Sequence, residues 1–376
     1  MSSAGKQRIL VAPLDWGLGH ATRCTPLIDR WLSEGHEVIV ASNGRSAAWL
    51  KQRYPQLEVL TDIPDYAVTY PANGSLSVHF AKHLFRLLRV VREENNWLKN
   101  LVESRSIQGV YSDNRYGLYH ERIPCTLITH QLYVRVPWWA KTLVSGLLNR
   151  YFKRFQSIWV PDYANGKTLS GALSHAGSWD DKVSYIGPLS RMTRLCSEPK
   201  TNETNEAKEA KEAKEAKQAI EDMEDLALSK GKVPERSQRG EIVALLSGPE
   251  PSRTAFEQQL RQLLADMHRP ALLVLGKPDE QLYEQSGQLT CVNHLPDEAL
   301  ADALKRAPLV ICRSGYSTLM DLDAIGVRAL LVPTSGQTEQ EYLANYHEQQ
   351  GNHYRVEQKH LTTDILRSLL SFSVES

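Results

Sequence analysis

"RILVAPLDWGLGHATRCTPLIDRWLSEG", residues 8–35, is the stretch that decides the fold. The unbroken apolar run Ile9-Leu10-Val11-Ala12 has the length of a strand buried on both faces. Gly17, Gly19 and His20 then form a corner, and 21–34 carries apolar residues at helical spacing. Strand, glycine turn and helix in that order open a βαβ unit, and such sheets bind ligands at the C-terminal ends of their strands. Glycine at that edge lets a backbone approach a ligand closely. The dinucleotide fingerprint G-x-G-x-x-G needs a third glycine, and Thr22 stands in its place, which argues against a nicotinamide loop. His20 is instead placed to act as a general base near neutral pH, the plainer alternative being a histidine that caps its helix.

Outward from this corner the same rhythm repeats. "HEVIVAS", "LEVL", "GVYSD" and "CTLIT" alternate with helical patterns near 45–53 and 77–103, which predicts a parallel sheet with helices on both faces. A second series follows: "EIVALLS", "PALLVLG", "LTCVN", "APLVICR" and "RALLVP", with helical patterns at 253–267, 297–306, 316–325 and 338–350. At 376 residues the chain exceeds the size at which single cores stop growing, about 300 residues, so two α/β domains are expected. The expected division is 1–162 for the first domain, 163–196 with 241–350 for the second, a charged Ala/Glu/Lys insertion at 197–240, and a C-terminal helix in 351–376 packing back on the first domain.

Lys+Arg and Asp+Glu are equal at 44 each, so no global field recruits nucleic acid, and charge-driven binding has to be regional. The five cysteines are scattered without a C-x-x-C or zinc spacing; they read as reduced thiols of a cytoplasmic protein, with no metal site. No stretch approaches the about 20 apolar residues of a membrane span. Residues 122–161 contain no Asp or Glu, yet Arg135, Lys141, Arg150, Lys153 and Arg154 alternate there with Trp138, Trp139, Leu143 and Tyr151. Such a helix, over 137–155, either lies on an anionic bilayer surface or is a core helix with a basic solvent face.

Asp113 ends "GVYSD", also a C-terminal strand edge, and either meets His20, holding its tautomer and stabilising its imidazolium, or is a buried aspartate that caps the turn. In the second half, "CRSGYSTLMDLDAIGVRALLVPTSGQTEQEYLANY", residues 312–346, ends a strand at Arg313 and opens a helix with small residues. Backbone N–H groups of Ser314, Gly315, Tyr316, Ser317 and Thr318 would cradle a phosphate with the help of the helix dipole, Arg313 adding a charge. Asp321, one turn further, would accept hydrogen bonds from ribose hydroxyls, and Glu339, Gln340 and Glu341 make a polar set suited to sugar hydroxyls. Ser247 and Gly248, with Arg253 opening the next helix, would close over the same phosphates or form an ordinary Pro/Gly turn.

With "RSGYST", Asp321, Pro333 and Gln340 in that order, the C-terminal half resembles the nucleotide-sugar donor signature of GT-B glycosyltransferases, and most closely the MurG-like group of family 28. The resemblance implies two Rossmann-like domains facing across a cleft. It implies that the His294 and Leu295 backbone meets the nucleobase, that Arg313 and 314–318 hold the diphosphate, Asp321 the ribose, and Gln340 with Glu339 or Glu341 the donor sugar. Ser247 and Gly248 match the phosphate loop, although "SGPEPS" departs from its usual wording, and Arg191 matches an interdomain arginine. On the acceptor side it implies His20 as base, Asp113 as its orienting partner, and Gly17, Gly19, His130 and Gln131 around the acceptor.

The function expected is inverting, metal-independent transfer of a hexose or N-acetylhexosamine from a UDP-sugar, a co-substrate, to a hydroxyl acceptor, with no cofactor. If 137–155 touches membrane, that acceptor is lipid-linked and the protein works at the inner face of the cytoplasmic membrane. The competing readings are a UDP-sugar epimerase on the same architecture and a non-catalytic nucleotide-sugar-binding protein.

Overall fold

The computed structural model of the chain describes residues 5–66, 76–136, 138–177, 181–196, 240–248, 250–277 and 282–372. The chain divides into two compact units, Met1–Leu189 and Ser190–Ser376.

The first unit runs β1 (Arg8–Pro13), α1 (Leu18–Ser33), β2 (Glu37–Ala41), α2 (Gly44–Arg53), β3 (Glu58–Leu60), α3 (Leu76–Arg105), β4 (Gly109–Asp113), β5 (Cys125–Ile128), α4 (Lys141–Phe152), β6 (Ser157–Val160), α5 (Ala172–His175) and β7 (Val183–Tyr185). Its seven strands are ordered β3-β2-β1-β4-β5-β6-β7, and every pair is parallel. A sheet covered on both faces demands strands without a polar side, and β1 shows it: Ile9, Leu10, Val11 and Ala12 are all buried. Leu10, Ile39, Val110, Leu127 and Ile158, from five neighbouring strands, meet Leu98 and Leu101 of α3 in one core. The strand order reverses direction between β1 and β4, where Pro13 pairs with Asp113. The loops leaving these two strands diverge and open a crevice, the usual place for a ligand in such sheets.

The second unit runs α6 (Thr193–Cys196), β8 (Ile242–Leu245), α7 (Ser252–Asp266), β9 (Ala271–Val274), β10 (Tyr283–Ser286), β11 (Leu289–Val292), α8 (Asp297–Arg306), β12 (Val310–Cys312), α9 (Tyr316–Ile325), β13 (Ala329–Leu331), α10 (Thr338–Gln349), β14 (Tyr354–Arg355) and α11 (Thr363–Phe372). The order is β10-β11-β9-β8-β12-β13-β14, parallel except for the β10–β11 edge hairpin. Its switch point falls between β8 and β12, so 246–248 and 313–315 leave adjacent strand ends in the second crevice.

Two expected boundaries are corrected. The first domain does not end at 162: β7 pairs with β6, Ile158 opposite Val183, and Asp162 receives the backbone N–H groups of Leu169 and Ser170, which fold the 163–170 loop back under the same sheet. The second unit does not end at 350 but takes in the C-terminal helix. β14 joins the second sheet, and α11 places Leu366 and Leu370 in the core built on Phe256 and Leu260 of α7. Of the charged insertion expected at 197–240, all but Gly240 lies outside the described residues.

Candidate functional site

In the first unit the corner is tighter than expected, because α1 begins at Leu18 and puts His20 in its first turn. Gly17 caps the helix at φ 107 and ψ 170, a conformation essentially closed to other residues. The carbonyl of Gly17 accepts from Ser46 Oγ at 3.3 Å, and the Ser46 N–H lies 3.4 Å from Asp15 Oδ1. Gly44 is required beside it, since a Cβ there would collide with the Asp15 carboxylate. Burial pushes the Asp15 carboxyl above its ordinary value, against its hydrogen bonds to Ser46.

His20 and Asp113 meet as expected: Nδ1 lies 2.9 Å from Oδ2. They do not meet alone. Arg23, one helical turn after His20, donates Nε to Asp113 Oδ2 at 2.9 Å and Nη2 to Oδ1. Its Nη2 is also 2.9 Å from His20 Nδ1, and its Nη1 is 3.2 Å from Nδ1 of the buried His130. Gln131, next in the chain, is held through its backbone N–H by Thr129 Oγ1 at 3.1 Å. Beneath the cluster the buried Arg115 donates Nε to Pro13 O at 3.2 Å and Nη1 to Glu94 at 2.8 Å, which braces the ends of β1 and β4.

Burial opposes ionisation of Asp113, but the charge of Arg23 and the contact with His20 outweigh it and hold the carboxyl at about 2. Asp113 favours the imidazolium of His20 through its charge and its hydrogen bond, but other influences outweigh it. Burial first, then the Arg23 charge, lowers the pKa of His20 in spite of Asp113. The positive end of α1 acts in the same direction. His20 is therefore neutral near pH 7, and among the described residues its Nε2 has no partner. Burial also raises the Cys24 thiol, 3.8 Å from Asp113 Oδ2, so it stays protonated.

Arg23 is the residue that sequence reading missed. The signal was present, since residues three apart share a helix face and His20-x-x-Arg23 is such a pair.

In the second unit the 314–318 turn lies at the switch point, with Gly315 at the N-cap of α9. Ser314 Oγ donates to Gln340 O at 2.7 Å, and the Gln340 amide oxygen accepts from Thr334 N–H at 2.9 Å, so the start of α10 is tied to the start of α9. Glu341 accepts the Gly336 N–H at 2.8 Å, and Leu295 is buried where β11 turns into α8. Ser247 and Gly248 end the β8 segment, Gly248 at φ 104.

Two expected phosphate ligands are not at this surface. Arg313 is fully buried: Nη1 reaches the carbonyls of Val332 (3.0 Å) and Pro333 (3.2 Å), and Nη2 reaches Ser252 O (3.3 Å) and Gln358 Oε1 (2.8 Å). Its guanidinium stacks 3.9 Å from the Phe256 ring centre, and burial lowers its pKa to about 10. Arg253 is spent on Glu250 (2.7 Å), Glu257 (3.0 Å) and Leu275 O (3.2 Å). Arg313 points into the core because the carbonyls there need donors, whereas Arg253 is held chiefly by two carboxylates. Asp321 is also engaged: Ser190 Oγ donates at 2.6 Å to one oxygen and Arg191 Nε lies 3.4 Å from the other. Arg191, expected between domains, bridges Asp321 to Asp297 (2.9 Å) within the second unit.

Residues 275–374 match the glycosyltransferase family 28 C-terminal domain. Over 93 residues the chain is 37% identical to the UDP-N-acetylglucosamine--N-acetylmuramyl-(pentapeptide) pyrophosphoryl-undecaprenol N-acetylglucosamine transferase of Mannheimia succiniciproducens, covering 24% of this chain and 26% of that protein. It is 28% identical over 209 residues to an uncharacterized glycosyltransferase of Methanosarcina mazei, covering 49% of this chain and 51% of that one. The chain thus spans about a quarter to a half of the length of these relatives. In fold it is similar to CalG4, the calicheamicin glycosyltransferase, at a TM-score of 0.58 and 14% identity over 98% of this chain and 89% of that chain. The fold is GT-B in class, two Rossmann-like units with parallel-dominated sheets. The family 28 match takes in the 294–295 turn, the 314–318 turn, Asp321 and 339–341, whereas Ser247, Gly248 and Arg253 precede it.

Proposed function

We propose that the protein is a glycosyltransferase that moves a hexose or N-acetylhexosamine from a UDP-sugar to a hydroxyl acceptor, with inversion and without an obligatory metal. The family 28 domain over 275–374 is the observation that carries this reading. In it the N–H groups at the start of α9 hold the diphosphate, where the helix dipole favours the charge that grows on the leaving group. Ser247 and Gly248 close over the same phosphates, and the 294–295 backbone meets the base. Gln340 with Glu339 or Glu341 takes the sugar. Asp321 meets the ribose through the lone pairs that Ser190 and Arg191 leave.

His20 Nε2 accepts the proton of the acceptor hydroxyl as its oxygen attacks the anomeric carbon, Asp113 orients the ring, and Gly17, Gly19, His130 and Gln131 surround the acceptor. The neutral state of His20 supports this role, because a base has to be unprotonated at the working pH. A lipid-linked acceptor at the inner face of the cytoplasmic membrane is supported by the basic, aromatic 137–155 segment. Trp138 is 87% exposed, Leu143 58% and Trp139 44%, next to exposed Arg135, Lys141, Arg150, Lys153 and Arg154. Among the described residues no helix is long and apolar enough to cross a membrane.

The test is a thermal-shift screen of nucleotide sugars, which raises stability only for a ligand of the native state, followed by a transfer assay with the best donor. His20→Ala is expected to lower turnover by about 10²- to 10⁴-fold with little change in donor affinity. Full transfer by that variant would remove His20 from the role of base. Donor conversion without any acceptor would replace transfer by epimerisation.

A further inference from the structure

A carboxylate beside an imidazole ordinarily favours the imidazolium. Here the carboxylate is already matched by a fixed cation. Arg23 forks onto Asp113 through Nε and Nη2, and the two side chains are 1% and 0% exposed. A buried bidentate pair of this kind is rigid and has no net charge to offer a neighbour. The charged and titratable groups acting on His20 are Arg23 from α1, Asp113 from β4, and His130 from the segment after β5, and Cys24 of α1 lies against Asp113. His130 Nδ1 takes the third arm of the guanidinium at 3.2 Å, which fixes the plane of the fork.

One nitrogen of His20 lies at 2.9 Å from both Asp113 Oδ2 and Arg23 Nη2. It cannot donate to the first and accept from the second at once, so the tautomer depends on where the guanidinium protons are spent. Oδ1 takes one of the two Arg23 Nη2 protons, and Oδ2, which also accepts from Arg23 Nε, keeps a lone pair for the His20 Nδ1 proton.

We propose that Arg23 is a positioning residue for His20: forked onto Asp113, it cancels the charge of the carboxylate while leaving Oδ2 to accept the Nδ1 proton, so His20 is held neutral with Nε2 bare. Asp113 then orients the ring without trapping a proton on it. This rests on the reading of His20 as base. In that step the acceptor O–H bond breaks, an N–H bond forms at Nε2, the oxygen pair bonds to the anomeric carbon, and the pair of the old anomeric C–O bond leaves with the nucleotide. The imidazolium so formed sits beside Arg23 and returns its proton to water readily, which resets the base.

The experiment is an NMR titration of the ¹⁵N-labelled full chain, with His20→Gln assigning the resonance. The wild type is expected to show the Nδ1–H tautomer and a midpoint below the ordinary 6.5. Arg23→Met and Arg23→Gln free the charge of Asp113 and are expected to raise the midpoint by about one to three pH units, the acid limb of kcat/KM moving with it. Arg23→Lys, which restores charge without the fork, returns the midpoint most of the way. An Nε2–H tautomer, a wild-type midpoint at or above 6.5, or an unmoved midpoint in a folded neutral variant overturns the proposal. If neither neutral variant folds, the wild-type tautomer and midpoint decide it. Undiminished transfer by His20→Ala would sink the base reading alone, since the titration is read without turnover.

Discussion

Holding an imidazole neutral and a carboxylate charged inside one cluster makes stability depend on pH, and the signs can be worked out separately. His20 has a folded pKa below its ordinary 6.5, so the unfolded chain binds its proton more readily. Its contribution is complete above 6.5 and is lost as the pH falls from there through the lowered value. Asp113 drops from 3.8 to about 2, so its contribution is complete above 3.8 and is lost as the pH falls toward 2. A shift of that size is worth on the order of 2 kcal/mol. Urea denaturation of the wild type across this range is expected to show two losses on acidification. His20→Gln abolishes the upper one and Asp113→Asn the lower, and a single unchanged profile in both variants would contradict the assignment. A backbone prediction belongs to the same corner. Gly17→Ala forces a side chain into a glycine-only conformation and is expected to cost about 1–3 kcal/mol in the same denaturation assay.

Elements show what the pattern of residues reveals and what it hides. The strands of both sheet centres were legible because a strand buried on both faces has to be apolar throughout, as Ile9–Ala12 and Val310–Cys312 are. The edges were not. β7 is three residues of mixed polarity, β10 is the polar "YEQS", and β14 has two residues, so none carries a periodic signal. The chain positions of the candidate site were legible as strand ends, and the pairing of His20 with Asp113 was expected because both stand at C-terminal strand edges. Direction of an arginine was not, because Arg313 and Arg253 stand at helix starts as phosphate ligands would, and they turn to partners that the sequence does not place beside them: core carbonyls for Arg313, Glu250 and Glu257 for Arg253. Arg313 joins the β13 exit to α7 and to the turn at 358–360. Arg313→Lys keeps the charge but loses the planar fork, and is expected to lower stability by about 1–3 kcal/mol. The UDP-sugar affinity of the folded variant should match the wild type, and a large loss of affinity measured by calorimetry would return Arg313 to the phosphate site.

At the scale of the whole molecule the proposed lipid-linked acceptor requires a surface that meets a membrane. A chain with equal numbers of acidic and basic residues has no general attraction to a membrane, so any approach has to come from a local patch. Residues 122–161 supply one without a single acid, and the fold leaves Trp138 and Leu143 outside the core while Phe152 and Phe155 are taken into it. In the proposed membrane contact the apolar side chains would enter the headgroup region and the basic ones would pair with anionic lipid, each cation near the surface contributing about 1 kcal/mol. Flotation with vesicles of phosphatidylglycerol and phosphatidylcholine is expected to show binding that weakens as salt rises, because screening shortens the reach of the patch. Vesicles of phosphatidylcholine alone should bind poorly. Trp138→Ser with Leu143→Ser removes insertion, whereas Lys141→Glu with Lys153→Glu reverses two charges and should weaken binding at least about tenfold. All four positions are exposed, so thermal stability stays near that of the wild type and a loss of flotation reports the surface itself. Unchanged flotation in both double variants would detach the membrane from the function and leave a freely diffusing hydroxyl acceptor as the substrate class.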